Sequence, residues 1–473
     1  MNELGYLSIA EAGHALRQRH ISAVELASAH LKRISQFNPG LDAFLEVAID
    51  RALKAAEEAD TAFARGDDAS PLLGIPYSAK DNINVRGLLT TCHSRLTNRL
   101  PAAVDAAVVA RMSKSGAVLL GKNALHEFAV GGPAFDLPFP PARNPWDRDR
   151  HPGGSSSGGG AAVAAGLAMA AIGTDTMGSI RNPATCCGVV GLKPTYDLVP
   201  REGVFPLAFS LDHVGPIARS VEDCALVLDV MAGASGQQSY ATELDDGVAG
   251  LRVGVLDSFH QGETVDAEVI AGFARALDVL TDLDVELVTV SPPSLAEFQA
   301  CGRVIQQAES YTIHRRWLAE RPAEYCEISR RKLAVGAFLS ASDYIVAQQE
   351  RRALIRRYRE ATRKVDAVIS LSSFTLPCRI NDPAAIAATY ERHARGPFNV
   401  TGDPALSLPV GLSPGSLPLA VQLAAGPYRE RILLRLARAI ERALGPIVPI
   451  RAFAEARSDI RDCRPPEADR ALA

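Results

Sequence analysis

The stretch GGSSSGGGAAVAAG, residues 153–166, decides how the rest of the chain is read. Four readings compete for it. A flexible Gly/Ser linker would join two unlike halves, whereas this run passes straight into small residues at helical spacing with no composition shift on either side. A phosphate-binding loop would close on G-K-[ST], but no lysine follows, and Val163 stands where the dinucleotide fingerprint begun by Gly158 and Gly160 wants Gly or Ala. Gly154, Ser156 and Gly158 satisfy the G-x-S-x-G of a nucleophile elbow, with Ser156 as nucleophile, yet the elbow must follow a buried strand and NPWDRDRHP at 144–152 is polar and broken by proline. The fourth reading makes the serines part of a proton relay. That relay requires a second serine and a lysine elsewhere in the chain.

Outward from the run, seven apolar segments read as strands: 71–79, 116–121, 251–256, 285–290, 366–371, 404–410 and 417–423. Helical patterns alternate with them, which predicts α/β layering around a sheet. Residues 1–40 carry two Ser-x-x-Glu signatures, Ser8 to Glu11 and Ser22 to Glu25, and read as a helical start. Residues 131–160 form a Gly/Pro/Ser-rich loop too long for a plain connection, so part of an active site is expected there. Residues 292–362 read as a charged helical lobe outside the sheet, with 348–364 a solvated amphipathic helix. The polar residues 456–473 read as a frayed tail.

Composition excludes several classes of function. With 473 residues, 47% hydrophobic and 22% charged, the chain has material for a large core and is not disordered. A net charge of −4 without any Lys/Arg block leaves no source for the counterion release that drives nucleic-acid binding, so no nucleic-acid partner is expected. The longest apolar stretch, 160–173, is too short to cross a bilayer, and the N-terminus lacks the basic-then-apolar order of a signal peptide. A cytoplasmic protein away from membranes is the expectation. Eight cysteines show no C-x-x-C pair, His126-Glu127 does not continue to a second histidine, and neither a metal nor another cofactor is predicted.

Two further blocks complete the relay reading: GIPYSAKDNINV at 74–85 and GTDTMGSIRNPATCCGVVGLKPT at 173–195. With the Gly/Ser run between them they resemble the amidase signature family, the Ser-cisSer-Lys hydrolases. The likeness continues through GKNALHEFAVGG at 121–132, REGVFPLAFSLDHVGPIARSVED at 201–223 and FNVTGDPALSLPVG at 398–411, and is weakest over 240–390. Residue by residue, the family lysine falls on Lys80, the bridging serine on Ser155 and the nucleophile on Ser179, spaced 75 and 24 residues apart. Taken singly, Lys80 reads as a surface lysine at a strand end and Ser179 as a helix N-cap. Three ordered blocks outweigh those plain readings. The resemblance implies one α/β domain over 1–473 with its core at about 70–225, built on a large twisted mixed sheet covered by helices on both faces.

A serine hydroxyl is a weak nucleophile at neutral pH, and lysine activates it only when burial favours the neutral amine. Lys80 follows an apolar strand, and neighbouring Asp81 is expected to point away because side chains alternate. The resemblance implies a cis peptide between Gly154 and Ser155, a relay in which Ser155 passes the Ser179 proton to Lys80, and an acyl-Ser179 intermediate. It also implies an oxyanion site on the backbone amides of Thr176, Met177, Gly178 and Ser179. Met177 stands where a glycine is common, so borrowed substrate preferences are in doubt. Asp175 and Arg181 match flanking scaffold positions, and Ser156 is expected to hydrogen-bond within the loop. Ser329 and Lys332 form a chance S-x-x-K, Cys186 and Cys187 read as small core residues, and His151 reads as a solvated loop histidine.

For the substrate, Leu125, Phe128, Phe135, Leu137, Phe139 and Met177 suggest an apolar entrance. The expected activity is hydrolysis of a small nonpolar or aryl amide, or of a carbamate as a urethanase would. The alternative is the glutaminase-type A subunit of a tRNA-dependent amidotransferase, for which no glutamine-recognising residues could be placed in 380–405. A catalytically silent protein of the same fold is the third reading. Oligomeric state is not readable, and a homo-oligomer stays open.

Overall fold

Both Ser-x-x-Glu signatures become closed capping boxes. Ser8 and Ser22 accept hydrogen bonds from the amides of Glu11 at 3.1 Å and Glu25 at 3.0 Å, starting the helices Ile9–Arg17 and Ala23–Phe37. They open a computed structural model that describes residues 4–67, 70–97 and 100–447, so the expected tail at 456–473 lies outside the described residues.

The strands are β1 (Phe44–Val47), β2 (Pro76–Lys80), β3 (Val118–Asn123), β4 (Ala170–Asp175), β5 (Val190–Lys193), β6 (His213–Ala218), β7 (Arg252–Val255), β8 (Glu286–Thr289), β9 (Ala367–Leu371), β10 (Ala405–Leu412) and β11 (Pro418–Ala425). They form one mixed sheet of 11 strands in the order β1-β3-β2-β4-β6-β5-β10-β11-β9-β7-β8. Every residue of β2 to β6, β9 and β11 is buried, so layers cover both faces of the sheet's centre. The fold is α/β. All seven predicted segments are strands, whereas β1, β4, β5 and β6 had no place in that reading. β4 and β6 are interrupted by alanine, glycine and proline, AAIGTD and HVGPIA, and β1 and β5 are only four residues long, too short for a clear period-2 pattern.

Strands β3, β2 and β4 run parallel side by side, with Lys80 paired to Asn123 and Ala79 to Ile172. Their carboxyl ends therefore bring Lys80, Asn123 and Asp175 to one edge of the sheet, the usual place for chemistry in α/β proteins. Two short buried helices, Ser157–Ala164 and Arg181–Cys187, pack against each other there, and each begins just after a candidate serine. The charged segment is helical as expected, in Leu295–Glu320, Glu327–Ala334 and Ala341–Thr362. The last buries only Ala347, Leu354 and Tyr358, which explains its polar sequence. Among the described residues no helix is long and apolar enough to cross a membrane.

Candidate active site

The end of β2 delivers Lys80 into the interior at 1% exposure. Its Nζ lies 2.8 Å from Ser155 Oγ and 2.7 Å from Thr174 Oγ1 on β4. Burial pushes its pKa down to about 7, against the opposing pull of the Asp175 and Asp212 carboxylates, so a neutral amine is present at ordinary pH. Asp81 turns the other way and forms a buried ion pair with Lys122 at 2.7 Å, as strand alternation requires.

The peptide between Gly154 and Ser155 is cis. Only glycine fits at 154, because a Cβ there would lie 2.1 Å from His126 Cε1. The His126 amide donates to Ser155 O at 3.1 Å and fixes the loop from the other side. Ser156 is not a nucleophile in an elbow. Its Oγ donates to Thr174 O at 3.2 Å and accepts from the Thr174 amide at 3.4 Å, which ties it across to β4 rather than within its own loop.

Ser179 is half-buried in the cavity wall, and its hydroxyl makes no hydrogen bond among the described residues. The Lys80–Ser155 contact is thus made, whereas no Ser155–Ser179 hydrogen bond is present among the described residues. The loop that carries Ser179 is held by Asp175. Its carboxylate accepts from the amides of Gly178 at 2.7 Å and Ile180 at 3.1 Å, and from Arg181 Nη2 at 2.9 Å and Nε at 3.0 Å. Burial alone would raise that carboxyl, but the Arg181 guanidinium outweighs it and holds it well below the usual carboxylate range. Arg181 in turn reaches Asn399 Oδ1 at 2.6 Å, Gln422 Oε1 at 2.7 Å and Arg395 O at 2.8 Å.

One of the four expected oxyanion donors is removed by this clamp. The Gly178 amide is taken by Asp175, which leaves those of Thr176, Met177 and Ser179 unengaged among the described residues. Thr176 is fixed by its hydroxyl, which donates to Asp212 at 2.6 Å. The Met177 side chain reaches between two glycines: a Cβ on Gly302 would lie 2.9 Å from its Cε, and one on Gly396 2.7 Å.

A cavity of about 400 Å³ opens onto Ser155 and Ser179. Of the residues expected to line it, only Met177 does. Leu125 and Phe128 pack instead into an aromatic cluster with Phe205, Trp317 and Tyr325, with Phe128 1% exposed, because that cluster seats the helical lobe on the core. Phe135 lies on the surface under Arg143, and the Phe139 carbonyl and ring contact His93. Leu137 is also outside the wall. His151 is not solvated but 5% exposed, packed on Tyr390 with its Nδ1 accepting from the Gly153 amide. Cys186 and Cys187 are buried, and burial raises both thiols, that of Cys186 to about 12.

The residues that do line the wall come from segments distant in sequence. The lobe supplies Arg303, Arg331 and Lys332, and the stretch 390–395 supplies Tyr390, Glu391, His393 and Arg395. Lys332, half of the supposed chance motif, pairs with Glu391. The signal available in sequence was a run of charged residues, YERHAR at 390–395, immediately before the buried Phe398. Thr174, a polar residue inside the buried strand β4, was the other.

The amidase family profile matches residues 25–434. The A subunit of glutamyl-tRNA(Gln) amidotransferase from Synechococcus sp. (strain WH7803) is 38% identical, over 92% of this chain and 97% of that one. The crystal structure of the corresponding protein from Thermotoga maritima is 32% identical with a TM-score of 0.77, over 93% and 95% of the two chains. Peptide amidase from Stenotrophomonas maltophilia is 29% identical with a TM-score of 0.84, over 95% and 99%. Relatives named as amidotransferase A subunits overturn two expectations: a hydrolase of nonpolar or aryl amides or carbamates, and a protein with no nucleic-acid connection. The first rested on apolar residues that, Met177 apart, lie outside the cavity. The second rested on the charge of one chain, which does not report on RNA engaged by an assembly. From its profile, its near-complete alignment with these relatives and its fold, the chain is a carbon–nitrogen bond hydrolase that belongs to the amidase signature family.

Proposed function

We propose that this chain is the amide-hydrolysing A subunit of a glutamyl-tRNA(Gln) amidotransferase, releasing ammonia from the side-chain amide of glutamine. The observation that carries this reading is the 38% identity to such a protein over more than nine-tenths of both chains. The cavity supports it. Arg303 and Arg331 on its wall suit the carboxylate of an amino acid, beside the Lys332–Glu391 ion pair. In this reading neutral Lys80 takes a proton from Ser155 as Ser155 takes one from Ser179, and Ser179 Oγ attacks the amide carbon. The amides of Met177 and Ser179 hold the oxyanion. Return of the proton through Ser155 to the leaving nitrogen expels ammonia, and water then releases glutamate from the acyl-Ser179 ester. The connection to tRNA runs through partner subunits rather than a basic patch on this chain, and the work belongs in the cytoplasm, where charged tRNA is used.

The test is ammonia release from glutamine by the purified chain, alone and with co-purified partners, together with conversion of glutamyl-tRNA(Gln) to glutaminyl-tRNA(Gln). Glutamine-dependent amidation that disappears with Ser179→Ala is the expected result. Hydrolysis of simple amides without glutamine turnover under either condition would overturn the proposal.

A further inference from the structure

Arg395 is a buried cation in the cavity wall whose side-chain hydrogen bonds, among the described residues, go to no carboxylate. It is 1% exposed, and its Nη1 donates to Ser372 O at 2.9 Å and to Ser373 Oγ at 2.5 Å. Its Nε–H is buried without an acceptor among the described residues. The nearby Asp175 carboxylate is already engaged by two nitrogens of Arg181. Burial pushes the Arg395 pKa down to about 10, with the Arg181 charge adding to the effect, so the guanidinium is still cationic at neutral pH. A buried charge with no counter-ion is costly, and such groups persist where function uses them.

The place where this charge sits shows what would compensate it. Gly178 has φ +124°, and a Cβ there would lie 2.6 Å from Arg395 Nε and 2.9 Å from its Cδ. The side chain thus lies flat on Gly178, the residue between Met177 and Ser179, whose amides are free to hold an oxyanion. A neutral amide carbonyl in that position does little for the cation. The tetrahedral state places a full negative charge one residue away.

We infer that Arg395 is a positioning residue of the oxyanion site, holding Gly178 in place and presenting a fixed positive charge that is compensated as the tetrahedral oxyanion forms at the amides of Met177 and Ser179. A charge matched in the transition state but not in the ground state raises kcat and leaves KM nearly unchanged. Nothing in this depends on which amide is the natural substrate.

The experiment compares Arg395→Met and Arg395→Lys with the parent chain, using propionamide and glutamine in parallel as substrates and propylboronic acid as an inhibitor that forms an anionic tetrahedral adduct on serine. Arg395→Met is expected to lower kcat about 10²-fold with KM within about threefold, and to weaken the boronic acid in proportion. Arg395→Lys, which keeps the charge, recovers most of both. A raised KM with kcat retained would make Arg395 a substrate anchor and overturn the inference. Equal losses in both variants with boronate affinity unchanged would reduce it to packing and do the same. Should Arg395→Met fail to fold, Ser373→Ala, which frees Nη1 from the Ser373 hydroxyl, lowers kcat and boronate affinity together at constant KM; an unchanged kcat there overturns the inference. Propionamide turnover without glutamine turnover leaves this test intact while refuting the glutamine reading.

Discussion

In the proposed relay Lys80 serves as a base only while its amine is neutral. With the pKa brought to about 7, the base form is present above that pH and is lost as pH falls through it. The acid limb of the kcat/KM profile is therefore expected near pH 7. Asp212→Asn removes one of the two carboxylates that oppose this depression, the other being Asp175, so the acid limb moves to lower pH. A pH–rate series on the two proteins checks both statements; a limb that stays put would mean that another group titrates. Ser179→Ala is expected to lower kcat by about 10⁴-fold or more, since units of this kind lose nearly everything with one member. The positions of Lys80, Ser155 and Ser179 were legible in sequence because each lies in its own contiguous block.

At the level of elements, the loop after β4 is gripped by the lobe through Met177. Gly302 lies inside the helix Leu295–Glu320, where alanine in place of glycine would ordinarily stabilise by up to about 1 kcal/mol. In the parent chain the new methyl meets Met177 Cε at 2.9 Å and Val400 Cγ2 at 3.1 Å, whereas in Met177→Gly only the Val400 contact remains. Gly302→Ala is thus expected to be more destabilising in the parent than in Met177→Gly, with a coupling of about 1–2 kcal/mol in a urea-denaturation double-mutant cycle. Additive effects would refute the contact. This pairing could not be read from sequence, because it joins positions 125 residues apart that show no shared pattern. The misplaced Phe128 has the same origin: a buried aromatic looks alike whether it lines a cavity or seats a lobe. Strand β4 escaped notice because alanines and glycines carry no period-2 signal.

Across the whole molecule, the Asp175–Arg181 pair joins the two halves of the chain. Asp175→Asn leaves the buried Arg181 charge without its partner and is expected to cost about 3–5 kcal/mol, read from a urea or thermal unfolding curve. A loss below about 1 kcal/mol would mean that Asn399 and Gln422 suffice to hold the guanidinium. The fold class and three strongest blocks came from local sequence, but the cavity wall needed residues from 126 to 395 brought together, and no local pattern encodes that. The bolting of the nucleophile loop to Asn399 and Gln422 also bears on synthesis. A ribosome has made every member of the proposed relay by residue 179, yet the contacts of Arg181 with Asn399 and Gln422 cannot form until residue 422 has left the exit tunnel. A product cut short by a premature stop before that point carries the complete signature without those two contacts, and is expected to show no amide hydrolysis when assayed beside the full chain.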